Sequence, residues 1–171
     1  MINRARVIRF VVVVFVLVCT AGCDQATKQL ARRELSNSGS RPLAGGVVEF
    51  TLAENPGAFL SLGGSLPERI RNWLSFGIGC GLIALLFFLL SASRLNTISF
   101  LALSFAWAGG ISNLIDRFGR HGLVTDFIVV RAGPLHTGVF NLADLAIVIG
   151  IVVLFCASFA GDKELKTTGR V

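Results

Sequence analysis

Two aspartates in the last third of the chain carry the clearest chemical signal in the sequence. Asp144 lies about one turn inside an almost wholly apolar run that continues to residue 160, and Asp126 precedes this run by one short loop. A carboxylate costs roughly 2.5 to 3.5 kcal/mol near the centre of a membrane helix, and such a residue usually has a partner or a function. The loop between the two aspartates is long enough to fold back, so both carboxylates can meet at the membrane surface.

A pair of carboxylates in a site of low dielectric constant has a defined chemistry. Both cannot ionise together, so one keeps its proton and the pair titrates as a unit. The charged carboxylate can take a proton from water while the protonated one donates to a peptide carbonyl and then to the leaving amine. This is peptide hydrolysis without a covalent intermediate.

Other uses of the same residues stay open at this point. Asp144 could instead be the proton site of a small non-enzymatic membrane protein, either a proton-coupled transporter or an assembly subunit. The aspartates could also form a structural cluster with Arg117. A serine-type site that combines Ser112 with His121 or His136 is a weaker alternative, because both histidines lie in a polar loop.

The composition shows what kind of structure must position these residues. The chain has 171 residues, of which 53% are hydrophobic and 15% charged, and its mean hydropathy is +0.73. A chain of this composition cannot keep all its apolar surface inside a soluble core, so we interpret it as a membrane protein. The net charge is +6, and the basic residues near both termini flank apolar runs. This placement favours contact with anionic lipid headgroups and not with nucleic acid.

The apolar runs predict an all-α polytopic membrane protein that forms a single membrane domain. Its four transmembrane helices are predicted at residues 7–22, 73–92, 98–115 and 139–160. Four spans place both termini on one side of the membrane. The count of Lys and Arg residues in loops and tails does not decide which side, although the arginines before the first helix favour a cytoplasmic N-terminus.

Two extramembrane regions, residues 24–68 and 119–138, are predicted on the side opposite the termini. Turn-forming residues and short β-like runs indicate their local structure. A loop is predicted at 36–46, a small β-hairpin from runs at 47–52 and 58–62, and a further strand at 123–130.

Polar residues next to the predicted spans have helical spacing. Asp24 and Lys28 are four residues apart and can form an ion pair on one helix face. Asn113, Asp116 and Arg117 share one face at the end of the third span. The adjacent Gly109 and Gly110 allow close approach of a neighbouring helix.

The first apolar run allows two interpretations. It can be a retained helix, in which Arg9 extends its guanidinium back to the lipid headgroups. It also resembles the signal peptide of a lipoprotein precursor, because small residues precede Cys23 in Thr20-Ala21-Gly22-Cys23. The four cysteines include no CxxC pair and have no nearby histidine, so no metal site is predicted.

Five short sequence blocks, taken in order, resemble the motif set of one family. They are Asp24 with Lys28, Glu54-Asn55-Pro56-Gly57-Ala58-Phe59, Gly109-Gly110-Ile111-Ser112-Asn113-Leu114-Ile115-Asp116-Arg117, Val124-Thr125-Asp126-Phe127 and Phe140-Asn141-Leu142-Ala143-Asp144. The family is lipoprotein signal peptidase, also called signal peptidase II. The blocks fall on the predicted four-helix layout, so the resemblance covers nearly the whole chain.

The resemblance implies an aspartyl endopeptidase of the bacterial inner membrane that cleaves prolipoproteins before the diacylglyceryl-modified Cys of the lipobox. Asp126 and Asp144 would be the catalytic dyad at the outer face of the membrane, with both termini cytoplasmic. Substrate-binding positions would be Asn55, Asn113, Arg117 and Asn141, and supporting positions would be Asp24, Lys28, Gly57, Gly110 and Asp116. No metal or cofactor is implied, the partners would be prolipoproteins and membrane lipids, and we expect a monomer. The first helix is retained in this family, which makes Cys23 part of an accidental lipobox.

Overall fold

The computed structural model describes residues 4–57, 63–92 and 95–168, with side chains as far as residue 159. In chain order the elements are α1 (Arg4–Leu35), β1 (Arg41–Leu43), a 3₁₀ turn (Ala44–Gly46), β2 (Val48–Asn55), α2 (Glu68–Ser91), α3 (Thr97–Gly119), β3 (Val124–Ala132), β4 (Leu135–His136) and α4 (Leu142–Thr168). The four helices of the described chain are long and apolar enough to cross a membrane. The predicted fold class, four membrane helices with a small extramembrane β region, is therefore confirmed.

The helices expose their apolar side chains to the outside of the bundle. Phe15 of α1, Phe87 of α2 and Phe155 of α4 are each more than 60% exposed. In a soluble protein such surfaces would be an aggregation hazard, whereas in a bilayer they contact lipid tails. Helix α2 is the extreme case, since Leu89 is its only buried residue.

Helix α1 continues well beyond its predicted span. Its 32 residues correspond to about 48 Å of helix, whereas the hydrocarbon core is about 30 Å thick. The additional turns are stabilised by packing, because Ala31 and Leu35 are buried against Phe127 of the sheet. The first helix therefore contributes both a membrane span and one wall of the extramembrane region.

Small residues let α3 and α4 pack closely. A Cβ atom added at Gly109 would lie 2.4 Å from the carbonyl oxygen of Ala143, and one at Gly150 would lie 2.4 Å from that of Ala102. Gly110 faces α2 instead, where a Cβ atom would lie 2.8 Å from a methyl group of Leu82. The two adjacent glycines thus serve two different helix contacts, as close packing in membranes requires.

The strands form one antiparallel sheet in the order β1-β2-β3-β4. Strand β2 pairs with β1 on one side and with β3 on the other. The second run of the predicted hairpin, residues 58–62, lies outside the described residues. Part of the predicted loop at 36–46 is strand β1, which can hold Pro42 because it is an edge strand. The register between β2 and β3 places Ala53 opposite Asp126.

Arg9 contacts the end of α2 and the residues that follow it. Its guanidinium donates to the carbonyl oxygens of Leu89 and Leu95 at 3.4 Å and to that of Ala92. It also lies over the ring of Phe100, 5.2 Å from the centroid. The last carbonyls of a helix lack partners within the helix and attract cations. Arg9 therefore ties α1 to the connection between α2 and α3.

Candidate functional site

The first turn of α4 places Asp144. Asn141 stands just before the helix, and its side-chain oxygen accepts the backbone N–H of Asp144 at 2.9 Å. The Asp144 carboxylate in turn accepts the backbone N–H of Asn141 at 3.3 Å, so the two residues form a reciprocal capping box. The helix begins three residues later than predicted, because Phe140 continues the sheet through a bridge with Ile128. Asp144 is therefore oriented by the start of its own helix.

Asp126 is placed by the sheet. It lies in β3, and its side chain is only 1% exposed. Asn55 Nδ2 donates to Asp126 Oδ2 at 2.9 Å, and Asn141 Nδ2 donates to Asp126 Oδ1 at 2.6 Å. Both carboxylate oxygens thus have an amide donor.

The amides of Asn113 and Asn141 connect the two aspartates. Asn141 Nδ2 is also within 3.1 Å of Asn113 Oδ1, and Asn113 Nδ2 donates to Asp144 Oδ1 at 2.8 Å. Both asparagines are buried. The structure therefore brings both predicted catalytic residues, and three of the four predicted binding residues, into one hydrogen-bonded cluster.

Burial changes the acid strength of Asp126. Removal from water raises the pKa of Asp126 to about 6, and the negative charge of Asp144 acts in the same direction. The hydrogen bonds from Asn55 and Asn141 oppose this rise, because they stabilise the ionised carboxylate. An aspartate that titrates near neutral pH can either hold or release a proton under physiological conditions, as acid–base catalysis requires.

A buried lysine lies beside the aspartate pair. Lys28 Nζ is 2.7 Å from Asp24 Oδ2 and 2.9 Å from Asp116 Oδ2, and it donates to Asn113 Oδ1 at 2.9 Å. Lys28 and Asp24 are fully buried, so this ion pair is not the solvated pair that sequence spacing alone would suggest. Asp24, Lys28 and Asp116, three of the predicted supporting residues, are thus linked to the cluster through Asn113.

The fourth predicted binding residue, Arg117, lies at the edge of the cluster. Its Nη2 donates to the carbonyl oxygen of Gly57 at 2.8 Å, and its Nη1 lies 3.4 Å from that of Asn113. The backbone N–H of Gly57 donates to Asn55 Oδ1 at 2.8 Å, an Asx turn that orients the Asn55 amide toward Asp126. The turn after β2 is therefore connected to both α3 and the aspartate pair.

Three further polar residues complete the site, although the sequence analysis does not place them among the catalytic, binding or supporting residues of the aspartate pair. Gln25 donates to Asp116 Oδ1 at 3.0 Å, Ser112 donates to Asp24 Oδ2 at 2.7 Å, and the backbone N–H of Thr125 lies 3.2 Å from Asp116 Oδ2. In the sequence, each of these three polar residues lies directly next to a residue that was predicted to belong to the site. Ser112 is thus engaged with a carboxylate, and both histidines of the serine-type alternative are exposed.

A groove leads from the surface to Asp144. It has a volume of about 420 Å³ and is lined by His136, Thr137, Gly138, Phe140, Asp144, Leu145 and Val148. Leu145 and Val148 lie on the outer face of α4, where they are about 40% exposed. The groove therefore connects the carboxylate with the surface that contacts lipid.

The cysteines and the acidic residues form no metal site within the described part of the chain. No group of three or more His, Cys, Asp or Glu residues is arranged there to hold a metal ion. The four cysteines are unpaired and exposed on the helices. Cys23 lies in the middle of the continuous helix α1.

Known proteins are similar to this chain in sequence along most of its length. A family model described as signal peptidase (SPase) II matches residues 13–160. A lipoprotein signal peptidase of Nostoc punctiforme is 39% identical over 148 residues, which cover 86% of this chain and 88% of the relative. One from Desulforapulum autotrophicum is 36% identical over 131 residues, 76% of this chain and 80% of the relative.

Two solved structures, each described as a bacterial membrane enzyme, have the same fold. The first has a TM-score of 0.72 and 26% identity, and the alignment covers 91% of this chain and 90% of the other. The second has a TM-score of 0.65 and 27% identity, with 87% and 90% covered. The family match spans every residue of the cluster and sets aside the non-enzymatic alternative. The chain therefore belongs to the signal peptidase II family and is a peptidase of the bacterial inner membrane that removes signal peptides from lipoprotein precursors.

Proposed function

We propose that the chain is an aspartic endopeptidase that cleaves prolipoproteins immediately before the diacylglyceryl-modified Cys. Asp126 and Asp144 form its catalytic dyad. One observation carries the proposal: two carboxylates from different elements, 1% and 5% exposed, are hydrogen-bonded to the same residue, Asn141. Buried carboxylates that share a site hold one proton between them, which supplies a base and an acid together.

The chemistry follows from this shared proton. The ionised carboxylate takes a proton from a water molecule that attacks the scissile carbonyl carbon, while the protonated carboxylate donates to the carbonyl oxygen. When the tetrahedral intermediate collapses, the C–N bond breaks and a proton passes to the leaving amine. One water is consumed, and the dyad returns to its original protonation state.

The asparagines and Arg117 position the reactants. Asn55, Asn113 and Asn141 hold the carboxylates by the hydrogen bonds described above, and they also lie where substrate polar atoms would approach. Arg117 is held by the carbonyl oxygen of Gly57 at the edge of the dyad. Its guanidinium is suited to bind a peptide or glyceride carbonyl oxygen.

The substrate reaches the dyad sideways from the bilayer. The groove beside Leu145 and Val148 is open to lipid and ends at Asp144. The signal helix and the acyl chains can remain in the membrane while the scissile bond enters the groove. Binding energy from the lipid-embedded part then positions the bond at the dyad, which is catalysis by proximity.

The dyad lies at the outer face of the membrane, and both termini are cytoplasmic. The residues around the dyad come from the end of α3, the start of α4 and the sheet, and they contact Lys28 in the second half of α1, whereas Arg4 and Arg6 lie at the other end of α1. This arrangement agrees with the preference of arginine for the cytoplasmic side. Thiol labelling of single-cysteine variants in intact cells tests it, and labelling of the 119–138 region only after lysis would contradict it.

The protein acts as a monomer with a retained first helix. All residues of the site come from one chain, and Asp24 and Lys28 of α1 are part of it. Removal of residues before Cys23 would therefore destroy the bundle. Mass spectrometry of the extracted protein is expected to show an intact N-terminus, and a lipidated Cys23 N-terminus would contradict this.

One assay tests the proposed function directly. The purified protein is incubated in detergent with a prolipoprotein that carries diacylglyceryl on its lipobox Cys, and the product N-terminus is identified by mass spectrometry. We expect cleavage immediately before the modified Cys, and none with Asp126→Asn or Asp144→Asn. Glu49→Gln changes a carboxylate in the same way at the far end of the sheet and is expected to stay active. Full activity of either dyad variant would refute the assignment.

A further inference from the structure

Lys28 lies at the centre of a buried charge cluster that takes no part in the proposed proton transfers. We infer that Asp24, Lys28 and Asp116 form a brace that fixes the separation and orientation of Asp126 and Asp144. This inference rests on the proposed function. The three residues of the brace come from α1 and α3 and are at most 3% exposed.

The first arm of the brace holds the start of α4. Asp24 Oδ1 accepts the backbone N–H of Ala143 at 2.9 Å. This N–H is one of those that a helix leaves without an internal partner at its N-terminus. Ala143 directly precedes Asp144, so a side chain of α1 fixes the backbone that carries one member of the dyad.

The second arm holds the sheet in a similar way. Asp116 Oδ2 lies 3.2 Å from the backbone nitrogen of Thr125, which directly precedes Asp126. Gln25 donates to the other oxygen of Asp116 and keeps that carboxylate in place. A side chain of α3 thus fixes the backbone that carries the second member of the dyad.

Lys28 joins the two arms and adds a third. Its ammonium group has three N–H donors, and it has three acceptors, in Asp24, Asp116 and Asn113. Because Asn113 Oδ1 faces Lys28, Asn113 Nδ2 faces Asp144. Lys28 therefore sets the orientation of the amide that contacts the dyad, and its loss would let that amide turn its oxygen toward the carboxylate.

The energetics favour a positioning role over a purely stabilising one. Buried ion pairs contribute little net stability, because the loss of hydration offsets much of the attraction. The contacts of the brace are nonetheless specific. They end at Ala143 and Thr125, which directly precede the two aspartates, and at the Asn113 amide, which contacts Asp144. A displacement of about 1 Å at reacting groups can reduce a rate roughly 100-fold.

The brace also sets the charge near the dyad. The titratable side chains around it, apart from the dyad itself, include Asp24, Lys28 and Arg32 of α1, Glu54 of β2, Asp116 and Arg117 of α3, Arg120, which pairs with Glu54, and His136 of β4, which lines the groove to Asp144. Removal of one negative charge makes the dyad lose its protons more readily, and removal of the positive charge has the opposite effect. Changes to the brace are therefore expected to shift the pH–rate profile.

The test compares variants that separate charge from geometry. Asp116→Asn removes one charge and is expected to lower kcat about 10- to 100-fold, with KM little changed, and to move both limbs of the pH profile roughly one unit lower. The double variant Lys28→Met, Asp116→Asn keeps the net charge of the cluster. Its pH limbs are expected to stay in place while kcat falls by a similar factor. Glu49→Gln is the matched control and is expected to change neither kcat nor the pH profile.

Folding is monitored in every variant by the thermal transition of tryptophan fluorescence and by gel filtration. Asp116→Asn leaves Lys28 paired with Asp24, so this variant decides the question if the double variant fails to fold. Folded Asp116→Asn protein with kcat within twofold of the unchanged chain and an unmoved pH profile would overturn the brace. Inactive dyad variants in the same assay would then leave the proposed function intact, whereas active ones would refute that function itself.

Discussion

Replacement of Asp126 by Asn is expected to stabilise the protein at pH 8 and destabilise it at pH 4. Asp126 has a pKa raised from 3.8 to about 6, chiefly by burial. The folded protein therefore binds this proton more tightly than the unfolded chain does. Below pH 3.8, ionisation of Asp126 does not lower the free energy of unfolding. Between pH 3.8 and 6 this free energy falls progressively, and above pH 6 the whole decrease is present.

The size of the effect follows from two opposing contributions. A shift from 3.8 to about 6, at about 1.4 kcal/mol per pH unit, corresponds to roughly 3 kcal/mol of ionisation cost that the variant avoids. The variant has only one side-chain oxygen for the two amides of Asn55 and Asn141, so one buried donor loses its acceptor, at about 1 to 2 kcal/mol. At pH 8 the variant is therefore expected to be about 1 to 2 kcal/mol more stable than the unchanged chain. At pH 4 the ionisation cost is almost absent, so only the lost hydrogen bond remains and the variant is less stable.

Thermal unfolding followed by tryptophan fluorescence in one detergent, at pH values from 4 to 8, measures this change. For a chain of this size each kcal/mol shifts Tm by about 2 to 4 °C. Glu49→Gln is the control with the opposite sign, because hydrogen bonds from Ser40 and Arg131 lower the pKa of Glu49. The ionised Glu49 stabilises the fold above its unfolded pKa, so this variant is expected to lose stability at pH 8 and to match the unchanged chain in acid. A Tm difference for Asp126→Asn that does not vary with pH would refute the reasoning.

Three further predictions concern packing, capping and the first helix. Gly109→Ala places a Cβ atom 2.4 Å from a backbone oxygen of α4, so it is expected to lower the free energy of unfolding by roughly 1 to 3 kcal/mol and to remove most of the activity. Gly22→Ala is the control, because a Cβ atom there meets nothing within 4 Å, and it should leave both Tm and kcat unchanged. Asn141→Ala removes the cap of α4, at about 1 kcal/mol, and is expected to abolish cleavage even in folded protein, so residual activity near the normal level would contradict its role at the dyad. Arg9→Leu removes donors from the end of α2 and is expected to lower Tm while kcat at low temperature is kept, whereas exposed Arg6→Leu should change neither.

The sequence singled out Asp144 because a carboxylate inside an apolar run is unusual, and the short loop after Asp126 predicted that the two carboxylates could meet, as they do around Asn141. It also predicted the contact between Asp24 and Lys28, because residues four apart on a helix are neighbours. The third member of that cluster, Asp116, could not be paired with Lys28 in this way. The two residues are far apart along the chain, and only the packing of α1 against α3 brings them together.

The predicted start of α4 and the partners of β2 both depend on contacts between distant parts of the chain. A short apolar segment such as the one around Phe140 is compatible with either a helix or a strand, because it is too short to show the period of either. The backbone of Phe140 bonds to β3, a choice that depends on where β3 lies and not on local sequence. Likewise the pairing of β2 with β3 joins two strands that are about 70 residues apart in the chain, which local sequence does not reveal.

The contact between α1 and the start of α4 has a consequence for the order in which the protein assembles in the membrane. Asp24 lies on α1, and the N–H of Ala143 that it accepts lies at the start of α4. Because α1 is synthesised before α4, Asp144 joins the bundle only when α4 inserts. The proposed dyad therefore assembles with the insertion of α4, and no earlier intermediate holds both carboxylates in place.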